Sequence, residues 1–161
     1  MIRIGHAWDT HKLIKDRKLY LGGLLVPSEL GLLGHSDADV VLHAIAESLL
    51  GSLALGDLGK FYPDNSLDTL NMDSKIILKE CYEKILNLGY KINNIDLTIY
   101  SEYIKISPIR DEMRNNIANI LNIDINQISV KATTWEKMGF VGRGEAIACE
   151  CVCLVSNDKN D

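Results

Sequence analysis

The sequence predicts an α+β fold in which helices pack on one face of a mixed β-sheet. Three observations carry that reading. Apolar residues alternate along Met1–Thr10, at Ile95, Leu97 and Ile99, and over Ala146–Val155, the period of strands with one buried face. Apolar residues recur at helical spacing within 37–50. The elements follow the order β-β-β-α-α-β-α-β-β, in runs rather than strict alternation, which places helices on one side of a sheet. The 161 residues fit one domain, assigned to residues 1–156, with a polar tail at 157–161.

Each element has a local cause. Met1–Thr10 is the first strand. Lys18–Leu21 and Leu24–Pro27 flank Gly22 and Gly23, which supply the positive φ of a tight hairpin turn. Ser36 is the expected cap of the first helix, with Asp39 at capping-box spacing. That helix should run from Asp37 to Leu50, with Val40, Val41, Ala44, Ile45, Ser48 and Leu49 as its stripe, and stop near Gly51. GDLGKFYPDNSLDTLNMDS is then the longest loop and suits a lid. Ser74–Leu88 reads as a helix closed by Gly89, Lys91–Tyr103 as containing a strand, and Pro108–Leu121 as a helix with proline in its first turn. Gln127–Thr134 and Ala146–Val155 are the last two strands.

Composition excludes some functions. A net charge of -5 argues against a general nucleic-acid binder, which needs basic surface to displace counterions. It still permits a small phosphorylated ligand, because a bound cation can supply local positive charge. No apolar run reaches the roughly 18 residues of a membrane span, and no signal segment is visible before the first strand. Three of the four cysteines, Cys149, Cys151 and Cys153, share one strand face at a spacing unsuited to mutual disulfides and read as buried apolar residues.

Asp9 and His11 stand two apart at a strand's end, so both point to one face and form a chelating pair suited to zinc or manganese. A third ligand must come from elsewhere. The candidates are His6, His35 and His43; His6 has the wrong parity for that face, and His43 lies on the first helix, one turn after Asp39. Asp39 could then orient a metal-bound imidazole from behind. A lone Asp-x-His is a weak signal, since strand histidines are often hydrogen-bonded core residues.

Three blocks remove the ambiguity: GHAWDTHK, GLLGHSDADVVLHAIAESLLGSLALGDLGKFYPD and KATTWEKMGFVGRGEAIA. Together they resemble the 2-C-methyl-D-erythritol 2,4-cyclodiphosphate synthase family of the non-mevalonate route to isoprenoids, from about Arg3 to Val155. The resemblance implies a catalytic domain that cyclises 4-diphosphocytidyl-2-C-methyl-D-erythritol 2-phosphate with release of CMP, a phosphorus–oxygen lyase. It implies Zn2+ or another divalent ion at Asp9, His11 and His43, facing a substrate phosphate. A second cation, Mg2+ or Mn2+, would sit on Glu136 and the α- and β-phosphates. His35 and Ser36 would contact the 2-phosphate; Ser36 also stands at a helix start, where anions are favoured. Asp57 and Gly59 would wall the erythritol hydroxyls, and Phe61–Ser66, with Phe61 and Asp64 against substrate, would be the lid. The cytidine pocket would use Ser101–Ser107 with Lys105, and Lys131–Glu136 with Ala132, Thr133 and Thr134, and Phe140 beside them. His35, Thr134 and Glu136 are the implied catalytic residues.

The resemblance further implies a homotrimer with its sheets around a central axis and each active site between two subunits. Arg143 and Glu145 would then line a central cavity that could take an isoprenoid diphosphate, although a GRGE turn is equally an ordinary salt-bridged loop. A bacterial cytosol is the simplest setting, or a plastid-type organelle if a transit segment was trimmed. Three positions depart from the family's usual pattern: Ile104 replaces a proline, Trp135 stands where smaller residues are common, and Ala146 replaces a frequent glycine. Two rival readings use the same residues: a zinc phosphoesterase acting with water, and a trimeric isoprenoid-diphosphate binding protein.

Overall fold

A computed structural model describes residues 1–63 and 70–157 of the chain. Its elements are β1 (Ile2–Lys15), β2 (Leu19–Leu21), β3 (Leu24–Val26), β4 (Leu30–Leu32), α1 (Val40–Ser52), α2 (Leu58–Phe61), α3 (Ser74–Asn87), β5 (Lys91–Tyr100), α4 (Arg110–Leu121), β6 (Ile128–Thr133), α5 (Gly139–Gly142) and β7 (Ala146–Ser156). The main sheet has the order β4-β1-β7-β5-β6, and β2 and β3 form a separate hairpin. Every neighbouring pair in it is antiparallel except β5–β6, which α4 connects as a crossover. The expected mixed sheet is therefore present.

One face of the sheet is covered. Leu97, Ile99, Cys149, Cys151 and Cys153 are fully buried on it, against α1 and the helices beside it. All four cysteines are free and buried, and the strand parity predicts this for Cys149, Cys151 and Cys153. The opposite face leaves Ile2 and Ile4 each 67% exposed, with Trp8 and Val152 also open. α1 lies directly on β1 at Gly5, where an added Cβ would come within 1.8 Å of the Ser48 carbonyl oxygen. Gly5 is thus a packing requirement for the helix that carries His43.

Several boundaries differ from the sequence reading. β1 continues past Thr10 to Lys15, because β7 pairs with it as far as Lys12 and β4 takes over from Leu13. β4 itself is three residues long, too short to show a period. The first helix starts at Val40, three residues later than expected, and its cap is Asp39 rather than Ser36. Asp39 is fully buried, and its carboxylate accepts four backbone N–H bonds, from Gly22, Gly23, Val41 and Leu42. Gly22 and Gly23 have φ of 61° and 77°, the turn conformation that glycine admits without strain. One carboxylate therefore fastens the β2–β3 turn to the start of α1. Pro108 sits in a 3-10 turn, Ser107–Ile109, that precedes α4. Of the polar tail, Asn157 donates its N–H to the Met1 carbonyl; residues 158–161 lie outside the described part.

Candidate metal centre and active site

Asp9 and His11 share the helix-facing side of β1, and α1 presents His43 above them. His11 Nε2 and Asp9 Oδ2 are 3.1 Å apart, His43 Nδ1 and Asp9 Oδ2 3.3 Å, and His11 Nε2 and His43 Nδ1 3.2 Å. These three atoms form a nearly equilateral triangle. Ligands held about 2.0–2.1 Å from a tetrahedral zinc would stand about 3.3 Å apart, so the triangle fits three corners of such a site. Asp9 Oδ2 is also buried without a completed hydrogen bond, which a cation would satisfy. Burial raises the Asp9 carboxyl, but the two imidazoles outweigh it and hold it well below the usual carboxylate range. Burial lowers the His11 ring, and Asp9 more than reverses this, leaving it raised. The donor set suits a divalent cation with one position left for a ligand.

The backing of the two rings corrects the sequence reading. Asp39 spends its oxygens on the four amides and does not support His43. His11 Nδ1 meets the Leu33 carbonyl at 2.8 Å. His43 Nε2 meets Ser74 Oγ at 2.9 Å and Ser36 Oγ at 3.1 Å. Ser36 therefore faces the site from behind a ligand, its Oγ also accepting from the Ala38 amide. Ser74 has no motif of its own, and no sequence signal points to it.

A cavity of about 240 Å3 opens over the triangle, lined also by His35, Ser36, Glu47, Leu58, Gly59, Tyr62 and Ile77. Glu47, one turn after His43, was not among the predicted residues. Its carboxylate accepts from the Leu58 amide, and burial together with nearby Asp9 raises its pKa. Asp57 caps α2, accepting from Lys60 N at 3.0 Å, and so sets the turn that presents Leu58 and Gly59. Tyr62, not Phe61, faces the cavity. Leu58 and Tyr62 are one helical turn apart and share a side, whereas Phe61 lies beneath the ammonium groups of Lys60 and Lys84. Asp64 lies outside the described residues, as does the lid beyond Pro63.

The remaining predicted residues gather elsewhere, at the adjoining ends of β5 and β6. Ile99 pairs with Ala132 and Tyr100 with Thr133, and the Ser101 amide donates to the Thr133 carbonyl. Thr134 Oγ1 donates to Glu136 Oε1 at 3.0 Å. Glu136 and Lys137 both adopt positive φ, and Glu102 accepts from the Trp135 and Lys137 amides. Trp135 packs against Tyr100 and Phe140 in an aromatic cluster that Trp8 extends. Ile104 donates its N–H to Ser101 Oγ at 3.2 Å, a bond that proline could not make, and packs on the core. Ala146 lies in β7 and is not among the residues of positive φ, so it is free of strain. Lys105 is exposed. Arg143 pairs with Glu145 at 2.6 Å on the surface. Asp9 pairs with Cys149, Cys149 with Ile99, and Ile99 with Ala132. Three strand spacings, about 14 Å, thus separate Asp9 from Ala132 across the sheet, and none of this second group lines the cavity.

Comparison with known proteins follows the same geometry. The YgbB family profile matches residues 2–156. A protein of Haemophilus ducreyi named 2-C-methyl-D-erythritol 2,4-cyclodiphosphate synthase is 51% identical over 156 residues, covering 97% of this chain and 98% of its own. Among solved structures, IspF from Plasmodium falciparum in a CDP complex superposes with a TM-score of 0.85 at 37% identity, covering 97% of this chain and 96% of its own. The bifunctional IspDF from Campylobacter jejuni superposes at 0.93 with 36% identity, where this chain covers 42% of that longer protein.

Proposed function

This chain belongs to the YgbB family, and we propose that it is a metal-dependent 2-C-methyl-D-erythritol 2,4-cyclodiphosphate synthase of isoprenoid biosynthesis. It converts 4-diphosphocytidyl-2-C-methyl-D-erythritol 2-phosphate to the cyclic diphosphate with release of CMP, which makes it a phosphorus–oxygen lyase. The observation that carries the reading is the Asp9–His11–His43 triangle, with three ligand atoms 3.1–3.3 Å apart over a cavity.

The chemistry needs no protein nucleophile. An oxygen of the substrate's 2-phosphate bonds to the β-phosphorus while the bond from that phosphorus to the oxygen shared with the α-phosphate breaks. That oxygen and its electron pair leave with CMP. Such an intramolecular transfer depends on positioning and charge neutralisation. A divalent cation on Asp9, His11 and His43, zinc in this reading, and magnesium or manganese at Glu136 would supply Lewis acidity at the diphosphate. In this reading His35 and Ser36 hold the 2-phosphate, and Asp57 and Gly59 receive the erythritol hydroxyls. Ser101, Lys105 and Ala132–Thr134 hold the cytidine and its phosphate, with Phe140 and Trp135 as their backing.

The enzyme acts as a homotrimer in this reading, each site built from the cavity of one subunit and the β5–β6 end of the next. Two observations support it. Asp9 and Ala132 stand about 14 Å apart across one sheet, and none of the β5–β6 residues lines the cavity over the triangle. The uncovered sheet face exposes Ile2, Ile4, Trp8 and Val152, an apolar surface suited to association. Arg143 would face the axis, where an isoprenoid diphosphate could sit. A cytosolic setting accords with a chain whose described helices are all too short or too polar to cross a membrane.

Incubation of the zinc- and magnesium-loaded protein with the cytidyl substrate, followed by phosphorus NMR, tests the reading. Cyclic diphosphate plus CMP is the expected outcome. A linear product carrying solvent oxygen would instead identify a phosphoesterase and overturn the cyclase.

A further inference from the structure

The two metal-facing imidazoles are held differently. His11 Nδ1 faces a backbone carbonyl, which can only accept, so its N–H lies there and Nε2 presents a lone pair to the site. His43 Nε2 faces two serine hydroxyls, and a hydroxyl can donate or accept. The hydroxyls by themselves permit either tautomer, while Asp9 Oδ2, 3.3 Å from His43 Nδ1, draws hydrogen toward Nδ1, the tautomer that aims an N–H at the cation.

We propose that Asp37 and Ser74 form a hydrogen-bond relay that fixes His43 in the tautomer bearing hydrogen on Nε2, and thereby sets the cation affinity of the centre. Both are positioning residues, and the proposal rests on the metal-binding reading of the triangle. The Ser74 hydroxyl donates to Asp37 Oδ1, and the Ser74 amide donates to Asp37 Oδ2 at 3.1 Å. Asp37 Oδ1 also accepts from the Asp39 amide. An ionised carboxylate has no hydrogen to give, so Ser74 must donate to it. Its oxygen can then only accept from His43 Nε2, 2.9 Å away. Ser74 is fully buried, which shields the relay from competing water. Its hydroxyl is not needed to cap α3, because Asp73 does that by accepting from the Lys75 amide. The arrangement is the carboxylate–histidine–metal device with a serine inserted. Asp37 and Ser74 are 37 residues apart and join only here.

The test uses the full chain, zinc-free and 15N-labelled, at alkaline pH where the rings are neutral. Long-range 1H–15N spectra report which nitrogen of His43 bears hydrogen, with a His43→Asn variant for assignment. Chelator competition then measures zinc affinity. Wild type should carry Nε2–H. Asp37→Asn lets an amide donate to Ser74, frees the hydroxyl to donate to His43, and should shift the ring toward Nδ1–H. Zinc affinity should fall about 10- to 100-fold in Asp37→Asn and in Ser74→Ala. Ser74→Ala keeps the amide bond to Asp37 and the Asp73 cap, so it guards against simple loss of fold. A wild-type ring bearing Nδ1–H, or two folded variants with unchanged zinc affinity and tautomer, would overturn the relay. A wild-type ring bearing Nε2–H in a protein that holds no zinc supports the relay and refutes the metal reading.

Discussion

The cavity over β1 and α1 and the β5–β6 end differ in how complete they are. At the cavity, Asp9, His11 and His43 are partly or largely covered, and their ligand atoms converge on one point. At the β5–β6 end, Thr134 and Glu136 are exposed and bond to each other, and Glu102 satisfies the neighbouring amides. The first group is preorganised for a ligand that the rest of the chain cannot replace. The second is a wall whose groups satisfy one another until something larger arrives. The cap at Asp39 and the close packing at Gly5 hold α1 on β1 and so keep the three ligand atoms together.

Substitutions should separate the two regions. Asp9→Ala removes the one anionic ligand. It should lower turnover by about 1,000-fold or more and abolish stoichiometric zinc binding, measured by phosphorus NMR and metal analysis. Near-normal turnover there would falsify the metal site. Asp39→Ala acts beneath the same region without touching it. Four amides lose their acceptor, so the denaturation free energy should fall by about 3 kcal/mol or more, read from urea midpoints. At the other end, Glu136→Gln should lower turnover by about 100-fold while leaving zinc content at the wild-type level. Loss of zinc in that variant would mean that the two groups are one site within a chain.

A pH scan probes the layer behind both regions. Burial pushes the Cys81 thiol up to about 11 from an ordinary 9.0, and raises Cys149, Cys151 and Cys153 as well. The folded state thus prefers neutral thiols. Its advantage is complete below pH 9 and is lost as pH rises through the folded values. Cys81 alone should cost about 2 kcal/mol across that window, read as a falling Tm above pH 9 with alkylation following it. Arg143→Ala should have the smallest effect on the isolated fold. Its pair with Glu145 is exposed and solvent-screened, so the urea midpoint should not move.

Much of this was legible in the residues. Period two put Asp9 and His11 on one face and His6 on the other, where it meets Glu150. The same parity buried Cys149, Cys151 and Cys153. The family motifs selected His43 from the candidate histidines, and the structure brings it to the pair. Other parts were not legible. Ser36 precedes a helix as a cap should, yet Asp39 wins because its carboxylate also reaches the hairpin amides at Gly22 and Gly23. Phe61 and Tyr62 are adjacent aromatics in one short turn, and only the position of α3, with Lys84, decides which one faces the cavity. Glu47 lies within the second family block but has no role of its own in it, and Ser74 lies outside all three blocks.

The sequence by itself determined the strand and helix periods, the chelating pair and the family, because these rest on spacings of a few residues and on contiguous blocks. The tertiary structure alone decided what stands behind each ligand, which aromatic lines the cavity, and that the two groups of predicted residues stand apart within one chain. Those depend on contacts between residues tens of positions apart. Hydrogen-bond direction and burial at such contacts are set by how α1 and α3 lie on the sheet, and local spacing does not encode that.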